Sequence, residues 1–316
     1  MEKGVFILGE LNVDLIVSAD EITIEWNRER LVDRFDLVLG SSSAITACSL
    51  AGLGEKVYFV GVVGDDEFGH FCIRHLQEKG VNTQFVKTVP TLKTGATLSL
   101  STQKDRALLT YMGAIPELTP NVLPEDLYTL ARHIHFGSFY LQQKMQPHWK
   151  DVFSKAKEHG ITTSFDTGWA PDNNWHSSVI SEIIPFTDLF IPSEDELLNI
   201  FSCQSIEESI SKLPKGRGLV AVKRGSKGAR FILPDEKVID KRPFNVIPLD
   251  TTGAGDSFNA GLILSYLMKL DVIDSLEFAS ACGALATQRI GGASQVPTFE
   301  DVKAFIKAQE EISKTS

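Results

Sequence analysis

The stretch from Asp250 to Gly261, which reads DTTGAGDSFNAG, holds the residues best suited to chemistry. It follows a β-type segment at 244–249 and opens an apolar helical pattern. A turn of small residues entering a helix exposes backbone N–H groups at the positive end of the helix dipole, which makes an anion site. Because Gly253, Ala254 and Gly255 have almost no side chains, an oxyanion can approach this backbone closely.

Asp256 is the acidic residue at the start of this predicted helix. The helix dipole favours the ionised form of a carboxylate in the first turn. An ionised carboxylate beside an anion site suits a general base that takes a proton from a hydroxyl while a phosphoryl group arrives. The plain structural alternative is a glycine-rich turn with Asp256 as the helix cap, because Asp is a favoured cap residue.

Motifs of other enzyme classes are missing from the sequence. A dinucleotide fingerprint would need glycine where Phe258 stands. The sequence has no GxxxxGK[ST] loop, no HRD or DFG set, no HExxH and no GxSxG. These observations argue against a dehydrogenase, a P-loop enzyme, a protein kinase, a zinc protease and an α/β-hydrolase.

As a whole string, 250–261 closely resembles the C-terminal signature of the ribokinase-like (phosphofructokinase B-type) carbohydrate kinase family. Other segments are similar to that family over nearly the whole chain, from about residue 4 to 312. They are GELNVD at 9–14 for the first strand and turn, GVVGDDEFG at 61–69 for the N-terminal signature, 94–114 for the β-stranded lid, and VKRGSKGA at 222–229 for the nucleotide-side turn.

The resemblance implies an α/β fold, a ribokinase-like three-layer sandwich with a mainly parallel central sheet and a small β-sheet lid. It implies a single kinase domain over residues 1–316, with lid strands from about 15–39 and 81–112. Two short strands projecting from a globule expose an apolar face, and we expect a homodimer through paired lids because this face needs a cover. The residues in question are Leu98, Leu100, Leu108 and Leu109.

The resemblance also implies an activity, the ATP-dependent phosphorylation of a hydroxyl of a sugar or sugar-like small molecule. Asp256 is then the catalytic base, and Gly253, Ala254 and Gly255 form the anion hole with it. Residues expected to contact the acceptor are Asn12, Asp14, Gly40, Ser41, Ser42 and Gly137. Residues expected on the nucleotide side are Lys223, Gly225, Gly228 and Gly283.

Metal ions are also implied. Glu196 is expected to organise Mg²⁺ through water, and Asp250 and Thr252 border a possible K⁺ site in similar kinases. From the residues alone, Glu196 is equally well explained as part of a solvated acidic helix start. For Asp14 and Asp250 the plain alternative is a turn cap.

Three positions depart from the family pattern. Ser41 replaces the second glycine of a Gly-Gly-x-x-x-Asn motif, Ile45 replaces its asparagine, and Ser193 replaces the asparagine of Asn-x-x-Glu. An isoleucine cannot bond sugar hydroxyls, so either the acceptor presents an apolar edge here or the serines at 41–43 take over. The alternative is that Ile45 faces the core.

Two other functions stay open. A nucleoside kinase of the same family would need an aromatic or apolar base pocket. A sugar- or nucleotide-binding regulator without catalysis would not need an intact Asp256.

Apolar β-type runs alternate with helical patterns along the chain, which predicts βαβ units and a mainly parallel sheet. Predicted strands are 5–8, 57–63, 134–136, 162–165, 189–192 and 219–222. Predicted helices are 42–53, 67–79, 124–132, 148–159, 179–184, 194–201, 255–269, 274–289 and 299–313. A strand pair at 94–102 and 106–112 would turn at Gln103-Lys104-Asp105.

Composition supports this assignment. The 316 residues are 43% hydrophobic and 23% charged, which are globular proportions. The net charge of −10 argues against nucleic acid and anionic membranes as partners. Four scattered cysteines indicate free thiols in a reducing compartment. Because no apolar stretch reaches membrane-span length or forms a secretory leader, we expect a cytoplasmic protein.

Overall fold

The computed structural model describes residues 2–102, 106–289 and 291–315. Within these residues the strands form two sheets. In chain order they are β1 (Gly4–Leu8), β2 (Asn12–Ser18), β3 (Arg34–Leu39), β4 (Val57–Gly64), β5 (Asn82–Val89), β6 (Gly95–Ser101), β7 (Arg106–Tyr111), β8 (Ala131–Phe136), β9 (Thr162–Phe165), β10 (Leu189–Phe190), β11 (Leu219–Lys223), β12 (Ala229–Ile232) and β13 (Val238–Lys241).

The helices fall between these strands and in a block at the C-terminal end. In chain order they are α1 (Ser42–Gly52), α2 (Glu67–Glu78), α3 (Leu127–Leu130), α4 (Trp149–Glu158), α5 (Ser177–Ile183), α6 (Glu194–Phe201), α7 (Ile206–Lys212), α8 (Ala254–Leu267), α9 (Val272–Thr287) and α10 (Phe299–Thr315). In the described part of the chain, none is both long enough and apolar enough to cross a membrane.

The large sheet has the order β13-β12-β11-β10-β9-β8-β1-β4-β5. Its strands from β11 to β5 pair in parallel, and β12 and β13 add antiparallel strands at one edge. Both faces of the sheet are covered: Val5 and Ile7 belong to one buried cluster, and Phe6 and Leu8 belong to the other. This is the three-layer arrangement that the motifs predicted.

The small sheet, which we call the lid, has the order β3-β2-β6-β7. It is smaller than predicted, because β5 pairs with β4 in the large sheet and not with the lid strands. Conversely, the lid begins at Asn12, before the predicted residue 15. The turn predicted at Gln103-Lys104-Asp105 lies outside the described residues.

One face of the lid is apolar. The cross-strand pairs Leu37–Leu15, Leu15–Leu98 and Leu98–Leu109 place four leucines in one row across the sheet. Leu108 pairs with Ser99 and so lies on the opposite face, contrary to the expectation that it shares the apolar face.

Other sequence predictions need smaller corrections. The β-type segment 244–249 is irregular coil, and the short helix α7 was not predicted. The predicted helix 124–132 shrinks to α3, because residues from Ala131 onward join β8. All four cysteines are free, as expected, and all four are buried.

Candidate active site

Residues of the candidate site lie at the carboxyl ends of the parallel strands in the large sheet. Glu10 comes shortly after β1, Gly137 directly follows β8, Asp166 directly follows β9, and Lys223 ends β11. In α/β sheets ligands bind beyond the carboxyl ends of the strands. Topology therefore gathers residues that are far apart in the sequence at one edge of the sheet.

Helix α8 begins at this edge with the glycine-rich turn. Gly253 is its N-cap in a left-handed conformation, φ 77°, which favours glycine. A Cβ added there would lie 2.9 Å from Cα of Gly292 and 3.0 Å from Cγ2 of Ile45. A Cβ on Gly255 would lie 3.6 Å from Cδ of Lys223, at ordinary contact distance. The turn is thus tightly packed below Gly253 and has more room at Gly255.

Asp256 lies in the first turn of α8, close to Lys223. Its Oδ1 accepts a hydrogen bond from the Ser42 hydroxyl at the start of α1. Burial raises the pKa of Asp256 to about 7, and the negative charges of Asp166 and Glu10 act in the same direction. The Ser42 hydrogen bond and the Lys223 charge oppose this rise. A carboxyl group whose pKa lies near neutrality suits general base catalysis.

A buried ion pair supports the turn from the sheet side. Lys223 Nζ pairs with Asp166 Oδ2, and the Asn259 amide of α8 donates to the same oxygen over 2.6 Å. Although burial acts to raise it, the Lys223 charge and these hydrogen bonds hold the pKa of Asp166 below its ordinary value. The three residues tie β9, β11 and α8 together.

Glu196 forms a reciprocal cap at the start of α6. The backbone N–H of Ser193 donates to Glu196 Oε2 over 2.7 Å, and the N–H of Glu196 donates to Ser193 Oγ over 3.2 Å. Burial raises the pKa of Glu196. The solvated-face alternative therefore does not describe this residue, and the serine that departs from the family pattern serves as the helix cap.

The acceptor-side residues begin at the base of the lid. Asn12 Nδ2 donates to Asp14 Oδ1 over 3.2 Å. Asp14 lies within β2, so the alternative that it caps a turn is wrong. A side chain on Gly40 would overlap both the Asp14 carboxylate and the Asn12 amide. Glycine at position 40 therefore lets these two polar groups lie against the backbone that enters α1.

Ser43 of α1 and Ser138, which follows β8, share a buried carboxylate, that of Glu10. Ser43 Oγ donates to it over 2.6 Å and Ser138 Oγ over 2.9 Å, and burial raises its pKa. Ser41 caps α1 by accepting from the N–H of Ala44, and it donates to the backbone oxygen of Glu10 over 2.6 Å. Gly137 lies close by, since a Cβ there would be 3.1 Å from Ser43 Oγ.

The predicted nucleotide-side residues separate into three places. Lys223 lies beside Gly255, as described above. Gly225 and Gly228 have positive φ in the turn between β11 and β12. Gly283 lies on α9 against the start of α8, because its added Cβ would be 3.1 Å from the Ala254 carbonyl oxygen.

Asp250 joins two loops behind the glycine-rich turn of Gly253, Ala254 and Gly255, which we call the anion turn because its form is that of an anion site. Its carboxylate accepts from the N–H of Thr252 over 2.9 Å and from the N–H of Gly291 over 2.9 Å. Asp250 therefore acts as the turn cap that the residues alone suggested, and it also links this turn to the loop that follows α9.

Residues that sequence reasoning passed over complete the site. Asp166 pairs with Lys223, and Asn259 donates to Asp166. Glu10 accepts hydrogen bonds from Ser43 and Ser138. Asp166 had a usable signal, because it directly follows a predicted strand at the edge where ligands gather. His133 and His135 of β8 bond to Ser164. Burial lowers the pKa of both, so they are neutral core residues.

Comparison with known proteins identifies the family of this chain. The model of the pfkB family carbohydrate kinases matches residues 2–299. An ATP-dependent ribose-1-phosphate kinase of Halopiger xanaduensis is 31% identical over 94% of this chain and 96% of its own. A 5-dehydro-2-deoxygluconokinase of Clostridium perfringens is 28% identical over 88% of this chain and 86% of its own.

A solved structure shares the fold. The sugar kinase of Pyrococcus horikoshii, solved in complex with ATP, is 28% identical, with a TM-score of 0.80 over 96% of this chain and 99% of its own. The glycine-rich turn at the start of α8, the lid and the family match agree, so the chain belongs to the pfkB family of carbohydrate kinases, the ATP-dependent phosphotransferases that its motifs indicated.

Proposed function

We propose that this kinase transfers the γ-phosphoryl group of ATP to a hydroxyl of a sugar or sugar-like acceptor, with Asp256 as the general base. The observation that carries the proposal is the position of the Asp256 carboxylate, at the open N-terminus of α8 and beside Lys223. The backbone of Gly253, Ala254 and Gly255 would stabilise the charge on the transferring group. Asp256 would accept the proton of the attacking hydroxyl.

The acceptor would lie between the lid and the start of α1. Asp14 and Asn12 would bond its hydroxyls from β2, with Gly40, Ser41 and Gly137 forming the wall opposite. Closure of the lid would exclude water, which otherwise competes with the acceptor for the phosphoryl group. On the other side, ATP would run from the anion turn toward Gly225, Gly228 and Gly283.

Magnesium fits this site as an ion held mainly by ATP. Among the described residues no group of three or more His, Cys, Asp or Glu side chains could hold a metal by itself. Mg²⁺ usually binds substrate phosphates and water with only one or two carboxylates. Glu196 would be the nearby carboxylate that orders its water. The bound ion would neutralise charge on the phosphates.

The direct test replaces Asp256 by Asn. We expect turnover to fall by about 10²–10⁴-fold, because that is the usual contribution of a general base, while ATP binding measured by calorimetry stays unchanged. Phe258→Leu, a conservative change in the same helix, is the control for local packing. Retention of more than about a tenth of the wild-type kcat by Asp256→Asn would remove Asp256 as the base.

The acceptor is best identified by ADP release over a panel. The panel contains ribose 1-phosphate, 5-dehydro-2-deoxygluconate, 2-dehydro-3-deoxygluconate, ribose, fructose and a purine nucleoside. Preference for the nucleoside would favour the nucleoside-kinase alternative. ATP binding without ADP release for any acceptor would favour the regulator, which the intact Gly253–Asp256 turn argues against.

We also propose that K⁺ stimulates the reaction. A cation beside the loop of Asp250 and Thr252 would stabilise the backbone that forms the anion turn. Both oxygens of Asp250 accept backbone N–H groups, so this carboxylate already fixes the loop that the cation would border. Equal rates in potassium and in tetramethylammonium buffers would exclude this role.

A further inference from the structure

Hydroxyl side chains follow one face of α1 and point at α8. Ser42 donates to the Asp256 carboxylate. One turn later Thr46 Oγ1 donates to the Asp256 backbone oxygen over 3.4 Å, and Ser49 Oγ lies 3.2 Å from Ser257 Oγ. Residues at this spacing share one helix face. We call Ser42, Thr46 and Ser49 the hydroxyl stripe of α1.

The first member of the stripe differs from the others in what it contacts. Thr46 and Ser49 reach the backbone and a neighbouring hydroxyl, whereas Ser42 contacts the carboxylate that the proposed reaction uses. Among the described residues, Ser42 Oγ is the hydrogen-bond donor to the Asp256 carboxylate, and it bonds only Oδ1. Oδ2 is thereby left to receive the proton of the acceptor.

We propose that Ser42 is a positioning residue for proton transfer, which fixes the Asp256 carboxylate and stabilises its ionised form. The proposal rests on the proposed function, in which Asp256 is the base. It departs from the expectation that Ser42 contacts the acceptor. During the reaction the acceptor O–H bond breaks as the O–P bond forms, the bond from Pγ to the β–γ bridging oxygen breaks, and the proton goes to Asp256. Ser42 keeps its own proton.

The proposal makes a prediction about pH. Asp256 must be ionised to accept a proton, so activity should rise as the pH increases through about 7 in the wild type. A hydrogen bond to the charged form lowers a pKa. Without the Ser42 hydroxyl, the pKa of Asp256 should rise further, and the acid limb of the pH–rate profile should move to higher pH. The charged groups that face Asp256 from the other elements are Lys223, Asp166 and Glu10, and none of them changes in this variant.

The experiment compares kcat and kcat/KM from pH 5.5 to 9.5 for the wild type, Ser42→Ala, Ser42→Thr and Ser49→Ala. For Ser42→Ala we expect an acid limb displaced upward by about one unit, a value matching the usual strength of a hydrogen bond to a charged group. Its kcat at pH 7 should fall about fivefold and largely recover at pH 9. Ser42→Thr keeps the hydroxyl and should restore the wild-type profile.

Ser49→Ala is the matched control, because it removes a hydroxyl from the same stripe without touching the carboxylate. It should leave the acid limb unmoved. An unshifted limb in Ser42→Ala would overturn the proposal, as would a raised acceptor KM with the profile unchanged, which would make Ser42 an acceptor ligand. If Asp256→Asn is dead while Ser42→Ala keeps the wild-type profile, only the role of Ser42 fails. If Asp256→Asn is active, the proposed function fails.

Discussion

At the residue scale, the raised pKa of Asp256 suits proton transfer but lowers the stability of the folded protein. A carboxyl group with a pKa near 7 in the folded chain and 3.8 as its ordinary value binds more protons when folded. Its favourable contribution to folding is complete below pH 4 and is lost as the pH rises toward 7. At a pH where the Asp256 carboxyl group is ionised, it therefore destabilises the folded protein.

Asp256→Asn should accordingly stabilise the protein while it abolishes turnover. Since the amide has no charge to bury, its free energy of unfolding relative to the wild type should increase by about 2–3 kcal/mol between pH 5 and pH 8. Urea unfolding of both proteins at the two pH values measures this difference. A difference that does not change with pH would mean that the pKa of Asp256 is not raised in the folded chain.

Ile45 shows where residue-scale reading of the sequence reaches its limit. The replacement of asparagine by isoleucine was visible in the sequence. Whether Ile45 faces the acceptor or the core was not. The structure places the Ile45 side chain in the core, against Gly253 and Gly292, with 4% of its surface exposed. The neighbour that decides this, Gly292, is almost 250 positions away along the chain, so no local pattern could reveal the contact.

At the element scale, the entry to α8 separates folding from function. Gly253 has a left-handed φ, and a Cβ added there would lie only 2.9 Å from Cα of Gly292. Gly255 lies within the helix, and a Cβ added there would be at ordinary contact distance, 3.6 Å from Cδ of Lys223. Gly253→Ala should therefore lower the free energy of unfolding by at least about 1 kcal/mol. Gly255→Ala should fold at least as well as the wild type, because alanine is the better helix former.

The activities of these two variants should not follow their stabilities. The methyl group of Gly255→Ala would project beside Lys223 into the anion turn, so kcat should fall by about 10²-fold or more, as for the loss of an oxyanion donor. Thermal melts and ADP release give the two readouts. Full activity in Gly255→Ala would show that the turn is only a helix entry.

The buried pair of Lys223 and Asp166 connects two strands with α8. Removing one partner of such a pair leaves a buried charge, and Lys223→Met should lower the free energy of unfolding by about 3–5 kcal/mol. Adding Asp166→Asn to that variant should recover part of the loss, since the unpaired charge is gone. A double-mutant cycle from urea unfolding measures the coupling. Simply additive losses would mean that the pair does not interact in solution.

The bounds of strands and helices were predicted accurately where the local sequence pattern alone determines the element. The apolar runs that became β1, β4 and β9 were identified nearly to the residue, and so was α6. The assignment of β5 to the lid was wrong because sheet membership depends on the partner strand, and a strand's own pattern does not name its partner. Residues 244–249 have β-type composition without a strand beside them, so no ladder forms.

At the scale of the whole molecule, the apolar face of the lid needs a cover. Phe35 and Leu109 are 61% and 59% exposed, and Leu98 lies between them on the same face. We expect a dimer in which two lids pack through these faces. Leu98→Lys should yield a monomer by sizing with light scattering.

Leu108→Lys is the control for that experiment, because Leu108 lies on the opposite face of the same hairpin and is 55% exposed. It should remain dimeric. A wild-type protein with a monomer mass at micromolar concentration would contradict the dimer.

Helix α1 has a consequence for anyone who wishes to change the acceptor of this enzyme. In the proposed function Gly40 and Ser41 border the acceptor, and the helix that follows them holds the Asp256 carboxylate through Ser42. A library of variants at positions 40–46 would therefore alter substrate choice and catalytic competence together, and most of its members would be inactive. Thr97, Ser99 and Thr110 lie on the lid face that also carries Asp14, opposite to the apolar face. Randomising these three positions would sample new acceptors and leave Ser42 and Asp256 unchanged.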